Sequence, residues 1–299
     1  MAIPESQLEP WSHQGATTTA QTTYESIQSA LSADTSSIRY KDYDVYLQGS
    51  YRNSTNIRGD SDVDVVVQLN STWQRDLSAL SASEKAHYRL SYPNATYLWN
   101  DFRTDVLNTL RVYYGLSSVS EGNKSIKLDG GSSRLPADIV VCLQHRQYEY
   151  FWNTEDQSYV EGIVFYTRRD NRRVVNFPKV HYQNGVTKNK LTNAVGMYKP
   201  TVRMFKNARS RLVKDEVISS DVAPSYFVEC FIYNVANDAF VGSFRDIYLA
   251  VLSRLVEADF DALMCQNEQA PLFGDTPEQW SEKSAYELLG ALIELWRDW

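Results

Sequence analysis

The stretch GSYRNSTNIRGDSDVDVVV, residues 49–67, decides the reading of the fold. It runs into DVDVVVQL, residues 62–69, a segment dense in β-branched residues and so a strand. Residues two apart on a strand share a face, with Cα atoms about 6.5–7 Å apart. Asp62 and Asp64 therefore project together, while Val63 turns to the core. Two acids on one face repel unless a cation lies between them. Mg²⁺ prefers a few carboxylates plus phosphate oxygens, and two metals about 3.5–4 Å apart can hold the attacking and leaving oxygens of a phosphoryl transfer. Such a site needs a third carboxylate from a neighbouring strand. Asp138, in PADIVVCLQ at residues 136–144, opens an apolar strand as Asp62 does. Asp60 shares parity with Asp62 and Asp64 but falls in the turn after Gly59, and ranks below them. Upstream, Gly49-Ser50 closes the strand YDVYLQG, residues 43–49. Glycine permits close backbone approach, and a serine hydroxyl suits a phosphate oxygen. A Gly-Ser pair or an Asp-x-Asp alone is commonplace. The succession of strand, Gly-Ser, short loop, Asp-x-Asp strand and later strand Asp is far more specific.

Working outward, residues 14–33 carry Tyr24, Ile27, Ala30 and Leu31 at helical spacing. Helices are expected near 82–91 and 98–115, and strands at 125–128 and 136–144 joined by a Gly130-Gly131 turn. Strand-like alternation continues over 159–182. After about residue 187 the character changes. Segments 200–214, 224–237, 243–258 and 279–297 read as helices, with Pro200 and Pro224-Ser225 fitting helix starts. The expectation is an α+β chain. Residues 1–186 form a catalytic lobe on a mixed sheet with an N-terminal helix, and 187–299 a helical lobe. The cleft between two lobes is the default place for a small-molecule site.

Composition narrows the function. The 299 residues carry 30 Lys+Arg against 37 Asp+Glu, a net charge of −7, which weighs against broad binding to a nucleic-acid backbone. Hydrophobic residues at 43% are enough for a globular core. Cys142, Cys230 and Cys265 have no zinc or CxxC spacing and read as buried free thiols, which fits a reducing cytosol. The first residues lack a basic stretch followed by an apolar one, and no window of about 18 apolar residues exists. The expectation is a cytoplasmic protein with no membrane contact. Walker A, HExxH and GxSxG patterns are absent.

The segments GSYRNSTNIRGDSDVDVVV, NFPKVHYQNGVTKN, YKPTVRMFKNAR and PSYFVECFIYN resemble the bacterial cGAS/DncV-like nucleotidyltransferases (CD-NTases), within the polymerase β-like superfamily. The resemblance runs from about residue 40 to 240, is looser beyond, and is nearest the CdnE and CdnG clades. It implies a polymerase β-like nucleotidyltransferase core plus a helical C-terminal lobe. It further implies that Gly49 and Ser50 hold a donor triphosphate and that Asp62, Asp64 and Asp138 ligate two Mg²⁺ ions, with Mn²⁺ able to substitute. Lys206 would reach the triphosphate, Ser225 would contact the same phosphates, and Tyr226 would stack on a nucleobase.

The residues support part of this on their own. Lys199, Arg203 and Lys206 lie on one helix face, where like charges repel and ask for an anion. Tyr226 otherwise reads as an ordinary core or surface aromatic, Ser225 as a helix N-cap, and His181 as a satisfied structural histidine. Arg168, Arg169, Arg172 and Arg173 read as a solvated hairpin, and Asn176 and Asn184 lie where base edges could be read.

The expected function is a Mg²⁺-dependent, pyrophosphate-releasing cyclic oligonucleotide synthase. It would use ATP and GTP, or a pyrimidine NTP, to make a purine-containing cyclic dinucleotide such as cyclic GMP–AMP. By the resemblance, a separate effector senses this product in anti-phage (CBASS) signalling. The enzyme is expected to be a monomer with no stable nucleic-acid partner. Two rivals keep the fold: a linear oligonucleotide synthase or transferase to another acceptor, and an inactive nucleotide-binding regulator.

Overall fold

The computed structural model describes residues 2–59 and 61–299. Asp60 lies outside the described residues. Among the described residues, seven strands form one mixed sheet: β1 (Tyr43–Leu47), β2 (Val63–Asp76), β3 (Val119–Glu121), β4 (Ile126–Leu128), β5 (Ala137–Phe151), β6 (Gln157–Tyr166) and β7 (Arg173–Asn176). The order is β1–β2–β5–β4–β3, with β6 on β5 and β7 on β6. β5 is long enough to serve three partners. Along one edge it runs parallel to β2; along the other it takes β4 at its start and β6 at its end. β2 extends well past the expected residue 69, because a register shift between Leu69 and Trp73 absorbs the polar Asn70-Ser71-Thr72 and lets pairing resume.

The chain divides into two compact units. One comprises Thr17–Tyr51 and Asp60–Val180. Here α2 (Thr18–Ser32) and α5 (Trp99–Tyr114) add Ile27, Leu31, Phe102 and Val106 to a buried cluster with Val63, Val65, Val67, Ile139 and Val141. Alternation then sends Asp64 and Asp138 to the other face of the sheet. Helix α4 (Ala82–Ser91) falls at its expected place, and Ser81 with Glu84 caps it reciprocally.

The other unit comprises Met1–Ala16, Arg52–Gly59 and His181–Trp299. It holds α1 (Glu5–Ser12), α7 (Tyr198–Lys214), α8 (Ser225–Tyr233), α9 (Phe244–Val256) and α10 (Glu282–Arg297). Phe205 stacks on Tyr248 at 4.8 Å, and Ile3 and Leu8 of the first segment are buried in the same cluster. This differs from a single cut at residue 186. The N-terminal segment and residues 52–59 pack with the helices, because Ile3 and Leu8 bury their apolar surface there and Asn207 donates to the Trp11 carbonyl at 2.8 Å. The division falls inside α6 (Pro178–Lys188), a helix in a stretch where alternation suggests strand. The short helix α3 (Gly49–Asn53) stands where the sequence suggests a simple turn.

Candidate active site

Parallel pairing of β2 with β5 sets the carboxylates. Asp64 and Asp138 are register partners, so they stand side by side on one face of neighbouring strands, about 4.8 Å apart along the sheet. Asp62, one residue before β2, is exposed. On the other side of Asp138, β4 places Lys127 directly opposite. Lys127 Nζ lies 3.3 Å from Asp138 Oδ1, and Ser125 Oγ donates to the same oxygen at 2.9 Å. Neither residue stands out in the sequence. SIKL shows a strand, but only the pairing reveals which strand it meets.

Gly49 meets the carboxylate row from β1's end. Its φ is +65°, and a Cβ there would overlap Asp64 Oδ2. The site therefore needs glycine for two reasons: the left-handed backbone and the close approach. Gln48 N–H donates to the Asp64 carbonyl at 2.9 Å and fixes this turn on β2. Ser50 is half-buried just after it.

Among the described residues, no three His, Cys, Asp or Glu side chains close into a cage for a metal ion. The donor set still suits Mg²⁺, which takes one or two carboxylates and fills its shell with water and phosphate oxygens. Two in-register aspartates, with Gly49 close against Asp64, would supply that partial shell.

The helical unit contains a different carboxylate site. Glu229 on α8 is buried and accepts from four donors: Asn53 Nδ2 at 2.9 Å, Thr55 Oγ1 at 2.9 Å, His181 Nε2 at 3.2 Å and Lys206 Nζ at 3.2 Å. Burial alone would push this carboxyl up. Lys206, His181 and Thr55 outweigh burial and hold it at about 2.

This alters the reading of the helix stripe. Lys206 is buried, and its ammonium is engaged by Glu229 and by Thr55 Oγ1 at 3.1 Å, so it does not stand open for a triphosphate. The anion that Lys206 meets is the protein's own Glu229, hidden from sequence reasoning because it reads as one acid in an apolar helix. Arg203 is likewise spoken for, donating from Nε to the Ser12 carbonyl and from Nη1 to the Ser54 carbonyl. Lys199 and exposed Arg52 both face the Tyr182 ring, 5.6 and 3.9 Å from its centroid. Burial pulls the Lys199 ammonium below its usual value, with Arg203 and Arg52 adding to the effect and Glu229 opposing it.

Ser225 opens α8 as its first helical residue and is exposed; Pro224, which has no side-chain donor or acceptor, holds the cap position. Tyr226 stacks on His181 with centroids 5.4 Å apart and planes 23° apart, leaving about a third of the residue exposed (36%). Its hydroxyl end points inward, where burial and the thiols of Cys230 and Cys265 push its pKa up. His181 is buried and structural in position, on Glu229 beneath Tyr226. All three cysteines are buried free thiols. Asn184 donates to the Gln266 carbonyl at 2.9 Å, and Asn176 accepts from Phe177 N–H.

A mixed sheet with Asp-x-Asp at the head of one strand, a further aspartate in register on the next and Gly-Ser at the adjoining turn is the framework of a nucleotidyltransferase. Residues 32–111 match the family model for the nucleotidyltransferase domain, and residues 183–297 that for the cGAS/DncV-like nucleotidyltransferase C-terminal helical domain. The chain is 50% identical over 303 residues to the cyclic UMP-AMP synthase of Rhodothermus marinus (strain SG0.5JP17-172), covering 100% of itself and 99% of that protein. It is 41% identical over 304 residues to the cyclic nucleotide synthase CdnE01 of Staphylococcus haemolyticus, with 100% of each chain covered. The solved structure of the Rhodothermus marinus CdnE c-UMP-AMP synthase with Apcpp and Upnpp matches with a TM-score of 0.90 at 49% identity, over 99% of this chain and 97% of that one. The chain belongs to the cGAS/DncV-like nucleotidyltransferases, a family of cyclic nucleotide synthases.

Proposed function

We propose that this enzyme joins a uridine and an adenosine nucleotide into a cyclic dinucleotide, releasing pyrophosphate as each of two phosphodiester bonds forms. The observation that carries the reading is the in-register pair Asp64 and Asp138 beside Gly49, in a chain half identical along its length to a cyclic UMP-AMP synthase. The expected purine is kept as adenosine. Uridine replaces the guanosine of cyclic GMP–AMP because of that relative. Mg²⁺, when bound by Asp62, Asp64 and Asp138, would supply charge stabilisation at the reacting phosphate. Gly49 gives the donor's phosphates close access to the backbone, and Ser50 offers its hydroxyl. A ribose hydroxyl attacks the α-phosphorus, the bond to pyrophosphate breaks, and the hydroxyl proton passes to the Asp138 carboxylate. Tyr226, stacked on His181 and about a third exposed, would offer its ring to a base. The product would act as a second messenger for a separate effector in anti-phage defence, which rests on the family resemblance.

The test is incubation with ATP, GTP, CTP and UTP, singly and in pairs, with Mg²⁺, followed by phosphatase and mass spectrometry. The expected result is a phosphatase-resistant product of cyclic UMP–AMP mass from ATP plus UTP. A resistant product from ATP and GTP alone overturns the choice of bases. Linear ladders overturn the cyclase reading.

A further inference from the structure

On one level of the sheet, β2, β5 and β4 carry Asp64, Asp138 and Lys127 in a row. Lys127 Nζ and Ser125 Oγ both engage Oδ1 of Asp138, at 3.3 and 2.9 Å. The lysine side chain is about half exposed (54%) and that of Asp138 less so (29%), and the ammonium flanks the carboxylate from the neighbouring strand. A cation taken up by Asp138 would lie within a few ångströms of this fixed positive charge.

We propose that Lys127 is a positioning residue that ties uptake of the divalent cation to arrival of a triphosphate. The inference rests on the reading of Asp138 as a metal ligand. Lys127 and Ser125 pin Oδ1 and leave Oδ2 to face the incoming ion. At the same time the lysine charge opposes a dication that binds alone, since like charges a few ångströms apart repel even at a wet surface. A triphosphate brings several negative charges to the same place. With it bound, the lysine faces anion as well as cation, and the opposition cancels. Metal therefore enters with its nucleotide and is held weakly without one. Solvent screening limits the effect to about three- to tenfold in affinity.

The test titrates Mn²⁺ into the full chain and follows the loss of the free-ion paramagnetic resonance signal, with and without a non-hydrolysable nucleoside triphosphate analogue. Lys127→Met should tighten Mn²⁺ binding about three- to tenfold without nucleotide, and less than about twofold with it. Lys127→Arg should behave as the parent. Unchanged or weaker binding by Lys127→Met without nucleotide overturns the proposal, and so does an equal gain under both conditions. Asp138→Asn separates the two ideas. If it leaves Mn²⁺ binding intact, the metal reading itself falls. If it abolishes binding, the metal reading holds and the Lys127→Met titration alone decides the role of the lysine.

Discussion

Asp138 and Glu229 are both carboxylates beside a lysine, and their surroundings differ in nearly every respect. Asp138 is partly exposed, shares its level of the sheet with a second acid, and has one oxygen engaged by Ser125 and Lys127. Glu229 is buried and has both oxygens filled by Asn53, Thr55, His181 and Lys206. A buried ion needs its hydrogen bonds made within the fold, and once they are made it has nothing left to offer a ligand. A half-open carboxylate beside another acid is the costly arrangement that a binding site retains. On the proposed function, the contrast separates a site that would work on a ligand from one that fastens the chain. Residue type and charge spacing alone cannot make that separation.

Substitutions test it, the strongest first. Asp64→Asn should cut product formation by about 10³-fold or more while shifting the melting temperature by no more than about 2 °C, read by mass spectrometry and calorimetry. If it unfolds the chain instead, Asp64 is a fastener as well. Glu229→Gln leaves the Lys206 ammonium buried without its counter-charge, and should cost about 3–5 kcal/mol in urea denaturation. The double change Glu229→Leu with Lys206→Met should recover most of that loss. Should Lys206→Met instead keep its stability and lose nucleotide affinity, Lys206 belongs with the ligand site after all. Tyr226→Ala should have the smallest effect, about tenfold in the KM for one nucleotide with little change in kcat, the scale of one stacked base.

Acid sharpens the same comparison. The Glu229 carboxyl is held at about 2, below its ordinary 4.5. Folding therefore favours the ionised form, and the stability it contributes is complete above about pH 4.5 and drains away as the pH falls toward 2. Between pH 5 and pH 3 the parent chain should lose more unfolding free energy than the Glu229→Gln variant, measured by denaturation at each pH. Equal losses would mean that other acids carry the effect.

The fold is legible where local pattern decides it. Alternation marks β1, β-branched runs mark β2 and β5, and helical periodicity marks α4, α5, α7 and α9 to within about two residues. α6 reads as strand because the strand-like alternation of residues 159–182 runs on into its first turns and masks the helix-starting signal of Pro178. That Asp64 and Asp138 lie near the heads of apolar strands is legible from the β-branched runs that follow each of them. Their neighbours Ser125 and Lys127 are not, because nothing in SIKL says which strand it will join. The partner of Lys206 is hidden from the sequence for the same reason. Spacing along one helix reveals which cations share a face, whereas the acid that meets them comes from another helix.

The parallel register of Asp64 with Asp138 has a consequence in time as well as in space. The two strands cannot meet through a tight turn, and α4, α5, β3 and β4 all intervene along the chain. Closing so large a loop costs entropy before any contact compensates for it, so this pairing comes late compared with the helices. A refolding chain should regain its helical signal first and its capacity to bind Mn²⁺ only as β2 docks on β5. The ion would then serve as a clock for the slowest step of assembly.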